Sequence, residues 1–122
     1  ETQEGQIWEA VMAANYHEAN NLRVIVDRNR IQNDDYMSVQ MEIGDIGSKF
    51  ESFGWNVREV DGHDMAQLVE SLLWTETADP GPIAIIAHTT KGKGVSFMED
   101  NPDFHGKAPN DEELEIALEE LS

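Results

Sequence analysis

Hydrophobic positions along this chain follow two periodicities, one typical of helices and the other of strands. Apolar residues spaced three or four apart predict amphipathic helices over 5–20, 43–53 and 64–73 and from Asn110 to Leu121. Short β-branched or alternating runs predict strands over 22–27, 55–58 and 83–88. Strands that alternate with helices indicate an α/β fold, in which a parallel sheet is covered by helices on both faces.

Two of the predicted helices carry start signals, and one strand is irregular. Asp64 precedes Gln67 by three residues and Asn110 precedes Glu113 by three, the spacing of a capping box. The second strand is less regular, because Val60 falls outside its alternation. The last helix is expected to turn four apolar side chains inward, namely Leu114, Ala117, Leu118 and Leu121.

The size of the chain fits one domain. The 122 residues contain 39 % hydrophobic residues, enough for a folded core. In this architecture each helix follows a strand, but no strand precedes the first helix. The chain is therefore expected to be truncated at its N-terminus.

The charge distribution restricts the classes of partner. The chain has 25 acidic and 8 basic side chains and a formal net charge of −17. Such a surface repels phosphate backbones and anionic lipids, so nucleic acid and membranes are not expected partners. No apolar run approaches the roughly 20 residues that cross a bilayer. Cysteine is absent, so disulfides and thiolate metal sites are excluded and the redox compartment is not indicated. A soluble, cytoplasmic protein is expected. The acidic excess fits either a solvated surface or adaptation to high salt.

The segment Asp27-Arg28-Asn29-Arg30-Ile31 comes directly after the first strand and offers candidate ligands for a hard cation. The Asn29 amide oxygen and the Ile31 carbonyl are donors that Mg²⁺ accepts when phosphate and water complete its octahedron. Asp and Asn after a strand also commonly satisfy their own backbone in a turn. The residues alone leave both interpretations open.

A glycine-hinged segment lies after the third strand and ends in a lone histidine. It passes from His88 through Lys91-Gly92-Lys93-Gly94 to His105-Gly106-Lys107-Ala108-Pro109. Open parallel sheets bind ligands in loops at the carboxyl ends of their strands, and imidazole titrates near neutral pH. His105 is therefore a candidate for proton transfer. An exposed loop histidine without a role is the alternative.

The residue order of several segments is specific. The chain opens with Glu1-Thr2-Gln3-Glu4-Gly5-Gln6-Ile7-Trp8-Glu9-Ala10, and Asn29 lies about two dozen residues downstream. These features, with the segment 83–109, resemble transketolases, thiamin diphosphate enzymes that move two-carbon ketol units between sugar phosphates. The opening resembles the segment directly after Gly-Asp-Gly in the family's cofactor motif. The resemblance implies that 1–122 is the C-terminal half of a diphosphate-binding domain.

The resemblance also implies roles for individual residues. Asn29 would be a magnesium ligand and Ile31 would add its carbonyl, next to thiamin diphosphate. The family's aspartate ligand lies outside these residues. His105 would contact the cofactor and the donor sugar and assist proton transfer. Glu4 and Glu9 would relay protons across a dimer interface, with Glu4 also at the cofactor.

The implied activity is transfer of a ketol unit from a ketose phosphate to an aldose phosphate, as in the pentose phosphate pathway. It would require a pyrimidine-binding subunit or domain, in a homodimer or heterotetramer, and residues 1–122 alone are expected to be inactive. Asn33 and Asp35 depart from the family's usual residues. The alternatives are deoxyxylulose-phosphate synthase, the first component of a 2-oxo acid dehydrogenase, or a non-catalytic assembly domain.

Overall fold

The computed structural model describes residues 1–122 and confirms the alternation of helices and strands. The elements in chain order are α1 (Gly5–Tyr16), β1 (Arg23–Arg28), α2 (Met37–Gln40), α3 (Ile46–Ser52), β2 (Asn56–Asp61), α4 (Met65–Trp74), β3 (Ile83–His88), a 3₁₀ turn (Pro102–Phe104) and α5 (Asp111–Glu120). The chain divides into two compact units. Unit 1 comprises 1–28 and 43–88, and unit 2 comprises 29–42 and 89–122.

The sheet of unit 1 has three parallel strands in the order β1-β3-β2. Arg23 and Asn56, which begin the outer strands, both stand opposite Ile83. The first five residues of β3 are buried, as expected for a central strand with side chains against both faces. The predicted α/β fold with a parallel sheet is confirmed.

Helices α1 and α3 supply the core on one face of the sheet. Its buried members are Val11, Val26, Ile46, Phe50, Trp55, Ala84 and Ile86. The ring of Phe50 meets that of Trp55 edge-on, with centroids 5.1 Å apart. The indole N–H of Trp55 donates to the Val11 carbonyl at 2.9 Å, so this polar group is satisfied inside the core.

Helix α4 covers the opposite face. Leu68 and Trp74 pack there against a buried cluster of Val60, Ile83, Ile85 and Ala87. Val60, which falls outside the predicted alternation, is therefore a core residue of the second face. On β1, Ile25 stands in register with Ile85 on this face but is 56 % exposed.

Several element ends differ from the predictions. Helix α1 ends at Tyr16 instead of continuing to residue 20, and Glu18 just beyond it has a left-handed φ of 53°. Helix α3 begins later than predicted, because the Asp45 carboxylate accepts a hydrogen bond from the Ser48 N–H at 3.0 Å. Strand β2 extends to Asp61.

Only one half of the predicted capping box is present at the start of α4. The Asp64 carboxylate accepts from the Ala66 and Gln67 N–H groups. The Gln67 side-chain oxygen accepts from the Asp61 N–H instead of reaching back to the Asp64 backbone. Hydrogen bonds from the backbone and side-chain amides of Gln67 hold the pKa of Asp64 below its ordinary value of 3.8.

In unit 2, the reciprocal capping box of Asn110 and Glu113 is present at the start of α5. Of the four residues predicted to face inward on this helix, Ala117 is confirmed as buried, and the prediction was wrong for the three leucines. Leu114, Leu118 and Leu121 are 46 %, 63 % and 63 % exposed. Helix α2 and the 3₁₀ turn were not predicted. No helix in the chain combines the length and apolar character needed to span a bilayer.

Candidate functional site

The turn after β1 contains the two predicted oxygen ligands. The Asn29 side-chain oxygen accepts a hydrogen bond from the Ile31 N–H at 3.0 Å, which closes a turn on its own backbone. Arg30 between them has a left-handed φ of 63°, and its carbonyl accepts from the Met37 N–H at 2.9 Å. Ile31 is buried and forms an isolated antiparallel bridge with Tyr36. The turn is therefore held by local hydrogen bonds.

The glycine-hinged segment of unit 2 is ordered by close backbone contacts. Gly92 has a φ of 70°, and a Cβ there would lie 2.5 Å from the Met98 carbonyl oxygen. Lys91, one residue earlier, accepts through its carbonyl from the Asp100 N–H at 2.9 Å. The segment is a series of turns joined by this hydrogen bond, and residue 92 has no room for a side chain.

Side chains fix this segment at three further points. The Tyr36 hydroxyl donates to the Asp100 carbonyl at 2.7 Å, which joins the turn after β1 to this segment within unit 2. The Lys93 ammonium pairs with the Glu99 carboxylate at 2.9 Å. At the end of α5, hydrogen bonds from the Ser96 hydroxyl and N–H lower the pKa of Glu120.

His105 comes directly after the 3₁₀ turn. The Asn101 side chain accepts from the Asp103 N–H at 3.0 Å and so begins that turn. The His105 N–H donates to the Pro102 carbonyl at 2.9 Å and ends it. The side chain itself is exposed. Its backbone is thus fixed while its imidazole is accessible to a ligand.

Aromatic packing also involves the residue directly before His105. The Phe104 ring packs on Phe97 with centroids 5.4 Å apart. The Lys107 ammonium lies 4.5 Å from the centroid of Phe104, a favourable cation–π arrangement. Sequence reasoning missed the roles of Tyr36 and Asn101. The Asn101-Pro102 dipeptide is a turn signal that indicates the second of them.

Glu4 and Glu9 lie at the start of α1 in unit 1. Glu4 is the residue that precedes the helix, with extended backbone and no side-chain capping bond. Glu9 lies on the second turn, and both residues are exposed. The indole N–H of Trp8 donates to the Thr2 carbonyl at 2.9 Å and fixes the chain just before the helix. The proton relay through these carboxylates stays a prediction.

A histidine–carboxylate pair lies in unit 1 at the end of β3. The His88 ring nitrogen is 2.6 Å from the Glu59 carboxylate. The other Glu59 oxygen occupies the space that a Cβ on Gly47 would fill. The His88 ring at the end of β3 therefore meets a carboxylate from β2.

The oxygen atoms of the turn after β1 suit magnesium as part of its ligands. In residues 1–122 no three His, Asp or Glu side chains are grouped to hold a metal ion. The Asn29 amide and the Ile31 carbonyl are neutral oxygen donors. Mg²⁺ commonly takes one or two ligands from protein and the others from phosphate and water. These residues therefore fit a metal whose anionic ligands are supplied from outside this turn.

Comparison with known proteins extends the sequence resemblance. Residues 1–121 match the family described as transketolase, thiamine diphosphate binding domain. A subunit of the apulose-4-phosphate transketolase of Phocaeicola vulgatus is 37 % identical over 119 residues, covering 98 % of this chain and 42 % of that protein. The 6-deoxy-6-sulfo-D-fructose transketolase subunit SqwG of a Clostridium species is 34 % identical over 121 residues, covering 99 % and 44 %.

One longer relative and one solved structure agree with this family. Human transketolase is 36 % identical over 107 residues, covering 88 % of this chain and 17 % of that protein. The crystal structure of Campylobacter jejuni transketolase superimposes with a TM-score of 0.86 at 29 % identity, covering 97 % of this chain and 18 % of that one. The chain thus spans less than half the length of these relatives.

Proposed function

This chain belongs to the transketolase family of thiamine diphosphate binding domains, and we propose that it forms part of an enzyme that transfers a two-carbon ketol unit from a ketose phosphate to an aldose phosphate. The main support from the structure is the preformed turn in which the Asn29 oxygen lies 3.0 Å from the Ile31 N–H. Unit 2 also contains His105, on a backbone fixed by its own hydrogen bonds.

Each predicted site residue has a role in this proposal. Asn29 and the Ile31 carbonyl would hold Mg²⁺, which would supply positive charge for the diphosphate of the cofactor. Thiamin diphosphate, when bound, supplies the carbon nucleophile and the electron sink that ketol transfer requires. His105 binds the donor sugar and moves a proton at its hydroxyl. Glu4 and Glu9 relay protons toward a second polypeptide that binds the pyrimidine ring.

A partner polypeptide is part of the proposal. Two of the similar proteins are named as subunits, and in both cases this chain aligns with less than half of the subunit. We therefore place the residues in an assembly with a pyrimidine-binding subunit, as a heterotetramer or as a homodimer of longer chains. Residues 1–122 alone are expected to be inactive.

The test of the metal site uses the natural full-length polypeptide with its pyrimidine-binding partner. Ketol transfer from a panel of ketose phosphates is measured while Mg²⁺ and thiamin diphosphate are titrated. Asn29→Ala should raise the Mg²⁺ concentration for half-maximal activity by at least roughly tenfold. Asn33→Ala is the matched control, because Asn33 lies in the same segment, is exposed and donates its side-chain amide to the neighbouring Asp34 carboxylate.

A second variant keeps both the turn and an oxygen ligand. Asn29→Asp keeps an oxygen that accepts from the Ile31 N–H and should retain most of the Mg²⁺ affinity. Equal Mg²⁺ requirements for Asn29→Ala and wild type would contradict the ligand role.

The role of His105 has its own experiment. His105→Gln should lower kcat by about 10²- to 10⁴-fold with little change in cofactor affinity. His17→Gln, at an exposed position after α1, is the control. Activity of the assembly on pyruvate but not on ketose phosphates would contradict the proposed reaction. Ketol transfer by residues 1–122 alone would contradict the need for a partner.

A further inference from the structure

Tyr36 connects the two segments of unit 2 that contain the predicted site residues. On one side, its backbone forms an antiparallel bridge with Ile31, one of the two predicted magnesium ligands. On the other side, its hydroxyl donates a hydrogen bond of 2.7 Å to the carbonyl of Asp100, which lies 64 residues later in the chain. One half-buried residue thus holds the segment that leads to His105 against the turn after β1.

The backbone is strained at both ends of this connection. Arg30, within the turn, and Asp100 have left-handed φ values of 63° and 52°, and the only other such residue besides glycine is Glu18. Residues in this region persist where surrounding contacts hold them, and they are common at functional sites. The Met37 N–H bonds to the carbonyl of Arg30 at 2.9 Å. The Tyr36 hydroxyl bonds to the carbonyl of Asp100, so two adjacent residues hold both strained positions.

Hydrogen bonds of Asn101 join the residue that Tyr36 holds to the backbone of His105. The Asn101 side-chain amide donates to the Phe97 carbonyl at 3.1 Å. Its side-chain oxygen accepts from the Asp103 N–H at 3.0 Å and begins the 3₁₀ turn that precedes His105. This one side chain therefore bonds on both sides of residue 100. A shift of residue 100 is transmitted through it to the backbone of His105.

We propose that Tyr36 is a positioning residue for ketol transfer, whose hydroxyl sets the place of the His105 imidazole relative to the turn of Asn29 and Ile31. This role rests on the proposed function, in which His105 moves a proton of the donor sugar. A misplacement of about 1 Å can lower a rate by roughly 10²-fold. The exposed carbonyl that loses the hydroxyl can bond to water instead. The role of Tyr36 is therefore measured in turnover and not in global stability.

The test compares Tyr36→Phe with wild type in the assembly of the natural full-length polypeptide and its pyrimidine-binding partner. The variant removes only the hydroxyl and should lower kcat for ketol transfer by about 5- to 100-fold. The Mg²⁺ concentration for half-maximal activity should stay within about twofold of wild type, because backbone atoms make the bridge to Ile31. Tyr16→Phe is the matched control, since Tyr16 is the only other tyrosine and is 81 % exposed at the end of α1. This control should leave kcat unchanged.

A double-mutant cycle tests whether Tyr36 acts through His105. In a His105→Gln background, Tyr36→Phe should change kcat by less than about twofold, because the group that it positions has been removed. The same fractional loss of kcat in both backgrounds would overturn the proposal, since Tyr36 would then act independently of His105.

Hydrogen exchange gives a measurement that does not depend on activity. The Asp100 N–H donates to the Lys91 carbonyl at 2.9 Å and reports on the residue that the Tyr36 hydroxyl holds. Its exchange should be about two- to tenfold faster in Tyr36→Phe than in wild type. In Tyr16→Phe it should be unchanged. Wild-type exchange in Tyr36→Phe would show that the hydroxyl does not hold this segment, and would overturn the proposal.

The remaining outcomes separate this proposal from the proposed function. An unchanged kcat of Tyr36→Phe in an active assembly overturns the positioning role and leaves ketol transfer intact. A higher Mg²⁺ requirement with wild-type kcat at saturating Mg²⁺ assigns Tyr36 to the metal turn and also overturns it. A wild-type assembly that transfers no ketol unit contradicts the proposed function itself, and the positioning role in that reaction falls with it.

Discussion

Gly92 offers the sharpest test of how the segment that carries His105 is built. Replacing it with alanine has two separate costs. A side chain at a φ of 70° costs about 1–2 kcal/mol. The new Cβ would also lie 2.5 Å from the oxygen and 2.6 Å from the carbon of the Met98 carbonyl. Backbone atoms cannot rotate away, so overpacking adds about 1–3 kcal/mol.

Gly106 supplies the matched control for the first cost alone. Its φ of 76° is almost the same, but a Cβ there has no atom within 4 Å. Gly106→Ala should therefore cost only about 1–2 kcal/mol, whereas Gly92→Ala should cost about 2–5 kcal/mol when overpacking is included. The difference between the two variants isolates the contact of Gly92 with the Met98 backbone.

The assay is native-state hydrogen exchange, because local opening can be measured without assuming two-state unfolding. The reporters are the Val95 N–H, which donates to the Gly92 carbonyl, and the Asp100 N–H, which donates to the Lys91 carbonyl. Their opening free energies should fall by at least about 1 kcal/mol more in Gly92→Ala than in Gly106→Ala. Equal protection in the two variants would refute the close-contact argument.

Three further predictions concern unit 1. Phe50→Ala should lower the free energy of unfolding by about 3–5 kcal/mol in urea denaturation, because Phe50 is only 1 % exposed in the core; a loss below about 1 kcal/mol would contradict its burial. The Asp64 carboxylate stabilises α4 above its ordinary pKa of 3.8, and this stabilisation is lost as the pH falls through its lowered value in the folded protein. Asp64→Asn keeps the cap but does not titrate, so circular dichroism should show a smaller acid-induced loss of stability than in wild type. Gly47→Ala should be less favourable in the wild type, where it displaces the end of the exposed Glu59 side chain, than in a Glu59→Ala background, where helix propensity alone acts; additive effects in this double-mutant cycle would contradict the overlap.

The sheet could be predicted from sequence because its signals are local. The run Ile83–Ala87 is apolar at every position, which identifies a strand buried on both faces. Val60 is less clear from sequence, because simple alternation assumes one buried face and this residue packs on the other. The alternation of strands and helices is sufficient to predict the fold class.

Whether another element packs on the apolar side of a helix could not be predicted in the same way. Apolar spacing shows which side of a helix is hydrophobic, but it does not show whether another element packs there. The spacing predicts a core position for Leu118, whereas its side chain is 63 % exposed. On α4 the apolar residues occupy two sides, and only the side of Leu68 meets the sheet.

The residue types of the candidate site could be chosen from the sequence, but the ordering of the loop around them could not. Asn29 and His105 could be selected from their chemistry and their neighbours in sequence. The ordering of the segment between 89 and 105 depends on contacts between positions distant from one another, such as Tyr36 with Asp100. Such contacts leave no periodic pattern in the sequence.

The position of β3 has a consequence for synthesis on the ribosome. β1 and β2 share no hydrogen bonds with each other, and each pairs only with β3, which is the last strand in the chain. Among the strands of residues 1–122, β1 and β2 therefore have no pairing partner in a nascent polypeptide until residue 88 has been released. Their β-branched side chains remain available to chaperones or to neighbouring nascent chains. Pairing among these three strands therefore waits for β3.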